Sequence, residues 1–339
     1  MEELLQVDQL VTTFRTGTGE YAAVRGVSFS VNKGETLCIV GESGCGKSIT
    51  SLSVMGLLPD NGQVREGTIK FQGEDITHLS EEKRRKLRGK DMSMIFQEPM
   101  TALNPVLTIG FQIREPLMIH ERLSKREAHK KGIEMLKKVG IPYPEKRMNQ
   151  YPHELSGGMR QRVMIAMALC CNPSLLMADE PTTALDVTIQ AQILDLIQDL
   201  KDDLGMGVVM VTHDMGVVAE VADRVMVMYA GEKVEEGTVE EVFSSPQHPY
   251  TKGLLASVPD IDDETFEVEP IPGSLPSIQE KIEGCRFHQR CVFATDHCRK
   301  HSPEETIRPQ SNQHIVRCWL QEVNEDGSQN EVAPTSTNA

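Results

Sequence analysis

The sequence predicts an α/β fold built on a parallel sheet covered on both faces. Three observations predict it. Short apolar strings of strand length recur at Thr36–Val40, Leu175–Ala178 and Val208–Val211, and helical patterns lie between them. A glycine-rich loop joins the first of these strands to a helical segment. Residues 101–155 change character and read as a helical insert.

Taken in order, residues 22–31 alternate loosely, with Val24, Val27 and Phe29 apolar, and read as a strand. Gly34 marks a turn before Thr36–Val40. Ser48–Leu58 reads as a helix with Leu52, Met55 and Leu58 on one face. Residues 66–73 form a strand, Ser80–Lys90 a charged surface helix and Ser93–Phe96 another strand. Ser124 and Glu127 have the spacing of a capping box, and Gly140 stops the helix that follows. A helix after Leu175–Ala178 carries Ile189, Ile193, Leu196, Ile197, Leu200 and Leu204 on its buried face. From about residue 232 the chain is rich in Glu, Pro and Ser and loses this rhythm, which predicts a domain boundary there. Residues 324–339 have no apolar periodicity and are expected to be disordered.

With 35 Lys and Arg against 50 Asp and Glu, the chain of 339 residues carries a formal charge of −15. That balance argues against a nucleic-acid partner, whose phosphates call for basic excess. The acidic start MEELLQVDQL is no cationic leader, and no run of about 18 apolar residues occurs. The expectation is a soluble, cytoplasmic chain whose membrane role comes through a partner.

Gly41-Glu42-Ser43-Gly44-Cys45-Gly46-Lys47-Ser48 fits the Walker A pattern. Glycines let backbone N–H groups wrap phosphate oxygens, Lys47 faces the β- and γ-phosphates, and the Ser48 hydroxyl suits Mg²⁺. The helix N-terminus running on through Ile49 adds a positive end. A second signal is the apolar strand that ends in Asp179 and Glu180. Asp179 beside Ser48 would hold Mg²⁺, and Glu180, one residue on, would polarise an attacking water. A third strand ends in Thr212 and His213, which places His213 as a γ-phosphate sensor.

Further residues carry a family resemblance. Leu155-Ser156-Gly157-Gly158-Met159-Arg160-Gln161-Arg162 resembles the signature motif of ATP-binding cassettes, with Met159 where Gln is commonest. Gln97 after Ile95-Phe96 matches the Q-loop, and Ala184-Leu185-Asp186 the D-loop. The resemblance implies a RecA-like P-loop ATPase core at 1–98 and 159–232, with a mixed or parallel sheet, and a helical signature subdomain at 99–158. It implies that Lys47, Gln97, Glu180 and His213 are catalytic, and that Gln97 joins Ser48 and Asp179 around Mg²⁺. It also implies that Leu155, Ser156, Gly157, Gly158, Gln161 and Asp186 meet ATP held by an opposite subunit. The family stacks an aromatic on adenine upstream of Walker A; Phe14 is the first choice and Tyr21 the second. Cys45 departs from the commoner Ser, and its thiol is open to oxidation on this reading.

The stretch Phe96-Gln97-Glu98-Pro99-Met100-Thr101-Ala102-Leu103-Asn104-Pro105 resembles ATPases of oligopeptide and dipeptide importers, as do His248-Pro249-Tyr250-Thr251-Lys252-Gly253-Leu254-Leu255 and Gly284-Cys285-Arg286-Phe287. This narrower resemblance implies an ATPase at the cytoplasmic face of a cell membrane. Its partners would be two transmembrane permease subunits, a second homologous ATPase and an extracytoplasmic solute-binding protein. Nickel and glutathione importers share the subfamily, so cargo stays open. ATP-binding cassettes that act on DNA or ribosomes carry long coiled-coil inserts or two cassettes; the short stretch from Gln97 to Ser156 and the one Walker A speak against that class, and the importer-like C-terminal segment against an exporter.

Residues 233–322 form a C-terminal extension with Cys285, Cys291, Cys298 and Cys318 spaced C-x5-C-x6-C-x19-C. Structural zinc favours tighter pairs. Four thiols on a looser loop suit an iron–sulfur cluster, and the resemblance implies a [4Fe-4S] cluster. Zinc, with His288 or His297 replacing a ligand, and reduced cysteines without metal are the alternatives. The role expected is structural, cross-linking a small cysteine-rich domain.

Overall fold

The computed structural model describes residues 2–98, 102–183, 186–257, 271–308, 311 and 313–321. The tail expected to be disordered, and Pro99–Thr101, Ala184 and Leu185 of the motifs, lie outside them. Among the described residues the strands are β1 Glu3–Thr16, β2 Gly19–Asn32, β3 Thr36–Val40, β4 Gly62–Phe71, β5 Glu74–Asp75, β6 Met92–Ile95, β7 Leu175–Asp179, β8 Gly207–Thr212, β9 Arg224–Tyr229, β10 Glu232–Thr238, β11 Thr306–Ile307 and β12 Ile315–Val316.

One eight-stranded sheet has the order β11-β12-β10-β9-β3-β8-β7-β6. From β9 to β6 the pairs are parallel, and β10, β12 and β11 add antiparallel edges, so the sheet is mixed. β10 pairs with β9 along Glu232–Thr238 and takes β12 on its other side. The boundary expected near residue 232 therefore falls between two strands of one sheet, and the C-terminal extension is hydrogen-bonded into the core.

The parallel strands are buried on both faces, and alternate residues belong to two cores. Cys38, Val40, Leu176, Ala178, Val208 and Met210 face the helices. Leu37, Ile39, Leu175, Met177, Val209 and Val211 face the other side. There the cover differs from the expected helices. It is an antiparallel sheet of order β2-β1-β4-β5, together with the helix Lys47–Met55. Each buried Val, Ile or Leu stabilises by roughly 2 kcal/mol, against roughly 1–2 kcal/mol for fixing its backbone, so strands of five residues persist only with both faces covered.

The helices follow their local signals. Ser124 Oγ accepts from the Glu127 N–H while the Glu127 carboxylate accepts from the Ser124 N–H, and Lys125–Lys138 follows. On Val187–Leu204, Ile193, Leu194, Ile197 and Leu200 are buried, while Ile189, Leu196 and Leu204 pack partly against the same core. The helix after the phosphate loop is shorter than expected: Gly56 at φ 62° caps it after Met55.

Candidate active site

The glycine loop folds as it does because three of its positions exclude side chains. Gly41, Gly44 and Gly46 have φ of 147°, 84° and 111°, in the region that favours glycine. A Cβ at Gly41 would collide with the Met228 carbonyl, and one at Gly46 would lie 2.9 Å from the Ala23 carbonyl. Lys47, at the start of the helix, turns back and donates to the carbonyls of Gly41 at 2.7 Å and Glu42 at 3.0 Å.

β3 and β7 bring Ser48 and Asp179 together, with the Ser48 hydroxyl donating to Asp179 Oδ1 at 2.9 Å. Burial pushes the Asp179 carboxyl above its usual range; the Ser48 bond works against that, and the neighbouring Glu180 charge adds to it. A buried carboxylate and a hydroxyl in contact form a hard oxygen pair suited to Mg²⁺.

Glu180 stands just past β7 in a left-handed backbone conformation, φ 46°. A non-glycine residue held there is strained by roughly 1–3 kcal/mol, a cost that surrounding structure must carry. Its carboxylate gathers three partners. Gln97 Nε2 donates to Oε2 at 2.8 Å, Thr183 Oγ1 donates to Oε2 at 2.8 Å, and His213 Nδ1 lies 3.3 Å from Oε1. Burial opposes its ionisation, yet the bonds from Thr183 and His213 outweigh burial and hold the carboxyl below its usual range. Gln97, Glu180 and His213, far apart in sequence, thus form one hydrogen-bonded group.

Gln97 and Glu180, but not His213 or Asp179, line a cavity of about 330 Å³ together with Phe14, Ala23, Ser43, Gly44, Gly46, Lys47, Ser48, Ile49 and Ile278. Phe14 therefore stands at the phosphate loop. Tyr21 does not; its hydroxyl donates to the Thr18 carbonyl at the hairpin tip. Cys45 is 1% exposed, and burial raises its thiol, so the loop shields it from the oxidation its position suggested. Glu42 also turns from the cavity. Its N–H donates to the Tyr250 hydroxyl at 2.8 Å, and its carboxylate is paired with Arg290.

The signature residues lie away from this cavity. Ser156 caps the helix Gly157–Leu169, its Oγ accepting from the Met159 N–H, and Ser156 and Gly157 are exposed. Asp186 is exposed and caps Val187–Leu204 through the Ile189 N–H at 2.9 Å. Two residues expected to touch a partner's nucleotide are instead internal. Leu155 is 3% exposed and packs in the helix-side core. Gln161 is 2% exposed and donates to the Pro181 carbonyl, because one and a half helical turns after Ser156 the helix faces inward. It ties the signature helix to the residue after Glu180.

Several site residues were not read from sequence: Thr183 on Glu180, Tyr250 and Arg290 on Glu42, and Ile278 in the cavity wall. Thr183 sits three residues after Glu180, the spacing of a local side-chain contact, which is a usable signal. The other three come from the C-terminal extension, and no spacing rule connects them to the loop.

In that extension Cys285, Cys291, Cys298 and Cys318 line one cavity of about 180 Å³, with Phe287, His288, His297 and Trp319 among its other walls. Among the described residues no three His, Cys, Asp or Glu side chains group as ligands of one metal ion. The placement of these side chains supports neither zinc nor a [4Fe-4S] cluster. His288 Nδ1 lies 2.7 Å from the Cys285 carbonyl, and His297 packs on His301 and Trp319. Burial raises the thiols of Cys285, Cys291 and Cys318, to about 12, 11 and 12. Among the described residues no helix is long and apolar enough to cross a membrane.

Comparison with known proteins agrees with this geometry. The ABC transporter family matches residues 24–183, and the oligopeptide/dipeptide transporter C-terminal region matches residues 234–298. The chain is 54% identical over 323 residues to the dipeptide transport ATP-binding protein DppD of Bacillus subtilis, covering 95% of this chain and 96% of that one. It is 52% identical over 319 residues to the oligopeptide transport ATP-binding protein OppD of the same organism, covering 94% and 88%. Among solved structures, the dimeric ATP-binding cassette MJ0796 in a post-hydrolysis state with ADP and Pi superposes with a TM-score of 0.63 at 30% identity, covering 70% of this chain and 99% of that one. Phosphate loop, acidic strand end, exposed signature serine and C-terminal region all agree, and the chain belongs to the ABC transporter ATPases, among the dipeptide and oligopeptide transport ATP-binding proteins.

Proposed function

We propose that this chain hydrolyses ATP as one of two cassettes that drive import of oligopeptides or dipeptides across the cytoplasmic membrane. One observation carries the reading. Lys47, Ser48, Gln97 and Glu180 line one cavity, while the exposed Ser156 and Gly157 lie outside it at a helix N-terminus. Such a site lacks half of its anion donors until a second cassette supplies them. ATP held by Lys47 in one cassette and by Ser156 and Gly158 of the other would join the two head to tail.

In that assembly the triphosphate displaces the Gly41 and Glu42 carbonyls from Lys47. Ser48, Asp179 and Gln97 would hold Mg²⁺, which neutralises phosphate charge when bound. Phe14 stacks on adenine. Glu180, kept ionised by Thr183 and His213, orients water toward the γ-phosphorus, and His213 moves from Glu180 to the developing charge. Gln97, released from Glu180, reports the change to the helical region that follows it, where two membrane subunits dock. Asp186 crosses to the second cassette. The extracytoplasmic binding protein selects cargo, which this chain never touches.

The same reading divides the chain into an ATP-binding core at 1–98 and 159–232, a signature subdomain at 99–158 and an extension at 233–322. In the extension, four thiols that line one cavity at a loose sequence spacing suit a [4Fe-4S] cluster. Cys285, Cys291, Cys298 and Cys318 would hold it, and its role would be to cross-link the extension.

The test is reconstitution in lipid vesicles with whatever membrane subunits and binding protein co-purify with this chain. Peptide-loaded binding protein should stimulate ATP hydrolysis severalfold and drive peptide uptake. Stimulation by nickel or glutathione instead would overturn the peptide assignment, and no stimulation by any loaded binding protein would overturn import itself.

A further inference from the structure

Among the described residues, Ile278 is the one side chain of the C-terminal extension in the wall of the nucleotide cavity. It is a large apolar residue left 40% exposed, and it belongs to neither buried core. The segment carrying it is anchored along its length. Arg290 donates to the carbonyls of Pro272 at 2.7 Å and Ile271 at 3.3 Å. Leu275 packs against both cores and lies over Gly44, where a Cβ would stand 3.7 Å from its Cδ2. Past Ile278, the Glu280 N–H closes a turn onto the Ser277 carbonyl at 2.9 Å, and Gln289 donates to the Glu280 carboxylate at 2.8 Å. An apolar side chain held open to water over the phosphate loop is stabilised when a flat apolar surface covers it.

We propose that Ile278 packs against the nucleoside of the ATP whose triphosphate sits on Lys47, so that the C-terminal extension forms part of the nucleotide site. The proposal rests on the reading above that Lys47 marks the triphosphate. Phe14 and Ala23 supply apolar surface from the antiparallel sheet, and Ile278 supplies it from a segment more than 200 residues away in sequence. The extension thereby adds to ATP affinity through the base and sugar and leaves the phosphates to the loop.

Equilibrium binding of MgATP and of inorganic tripolyphosphate with Mg²⁺ to the full chain separates these contributions. Ile278→Ser should weaken ATP about fivefold while leaving tripolyphosphate affinity and thermal midpoint unchanged, and Ile278→Leu should restore most of the loss. Unchanged ATP affinity in Ile278→Ser would overturn the contact. So would parallel weakening of ATP and tripolyphosphate, since that pattern marks a disturbed loop. Lys47→Ala should weaken both ligands; if it weakens neither, the location of the triphosphate fails, and that failure is distinct from one at Ile278.

Discussion

Arg290 grips Glu42 through two bonds, Nη1 to Oε2 at 2.6 Å and Nη2 to Oε1 at 3.0 Å. The Arg290 side chain is 4% exposed and Glu42 33%. The pair joins the residue beside Cys291 to the second residue of the phosphate loop, and the same Glu42 gives its N–H to Tyr250. The loop is therefore held from behind by the C-terminal extension while its front stays open. Hydrogen bonding to Glu42 is the main cause that keeps the Arg290 guanidinium firmly charged.

A double-mutant cycle with Arg290→Met and Glu42→Gln measures that hold. A bidentate charged pair with one partner mostly buried should give a coupling of about 2 kcal/mol in urea unfolding. A coupling near zero would mean that the loop stands without the extension.

Glu180→Gln should lower ATP turnover by about two orders of magnitude or more. It should also trap an ATP-bound cassette dimer, visible as an earlier elution with MgATP. The amide keeps the shape and the neighbours Gln97 and Thr183, so loss of rate would report loss of the charge that orients water. Turnover at the unmutated rate would remove Glu180 from its role.

The phosphate loop and the acidic strand end were legible in the sequence because their chemistry demands particular residue types at fixed spacing. Gly41 and Gly46 admit no side chain, and Ser48 must reach Asp179 across the intervening strand β8. β1 was not legible: register shifts interrupt its pairing with β2, and Gln9 sits at φ 47°, so no clean alternation survives. Gln161 was assigned outward because it falls within the signature motif, yet the helical period turns it toward Pro181. Arg290 lies 248 residues from Glu42, and only the fold brings them together.

Glu235 gives a pH signature to the same junction. On β10 it accepts the N–H groups of Gln247 at 2.7 Å and His248 at 2.9 Å, and it meets His314 Nε2 at 2.8 Å. Burial opposes its charge, but the bonds from His314 and its other donors prevail and hold its carboxyl below the usual 4.5. A carboxyl depressed on folding contributes stability that is full above about pH 4.5 and is lost as pH falls through its lower folded value. Glu235→Gln should therefore destabilise the chain by about 2 kcal/mol at pH 7 and flatten the decline in stability below pH 4.5. An equally steep acid decline in the variant would place its origin elsewhere.

The cysteine cavity can be tested without reference to turnover. If Cys285, Cys291, Cys298 and Cys318 hold a cluster, anaerobically purified protein should contain iron and acid-labile sulfide in equal amounts and absorb broadly near 400 nm. Cys291→Ser should reduce both contents and the absorption together. It should also lower the thermal midpoint, because a cluster would cross-link the extension, which is paired to the core through β10 and β12. Cys45→Ser and Cys170→Ser, outside the cavity, should leave the chromophore intact. Protein free of iron and sulfide whose four thiols all react with a thiol reagent under native conditions would show that the cavity holds reduced cysteines alone.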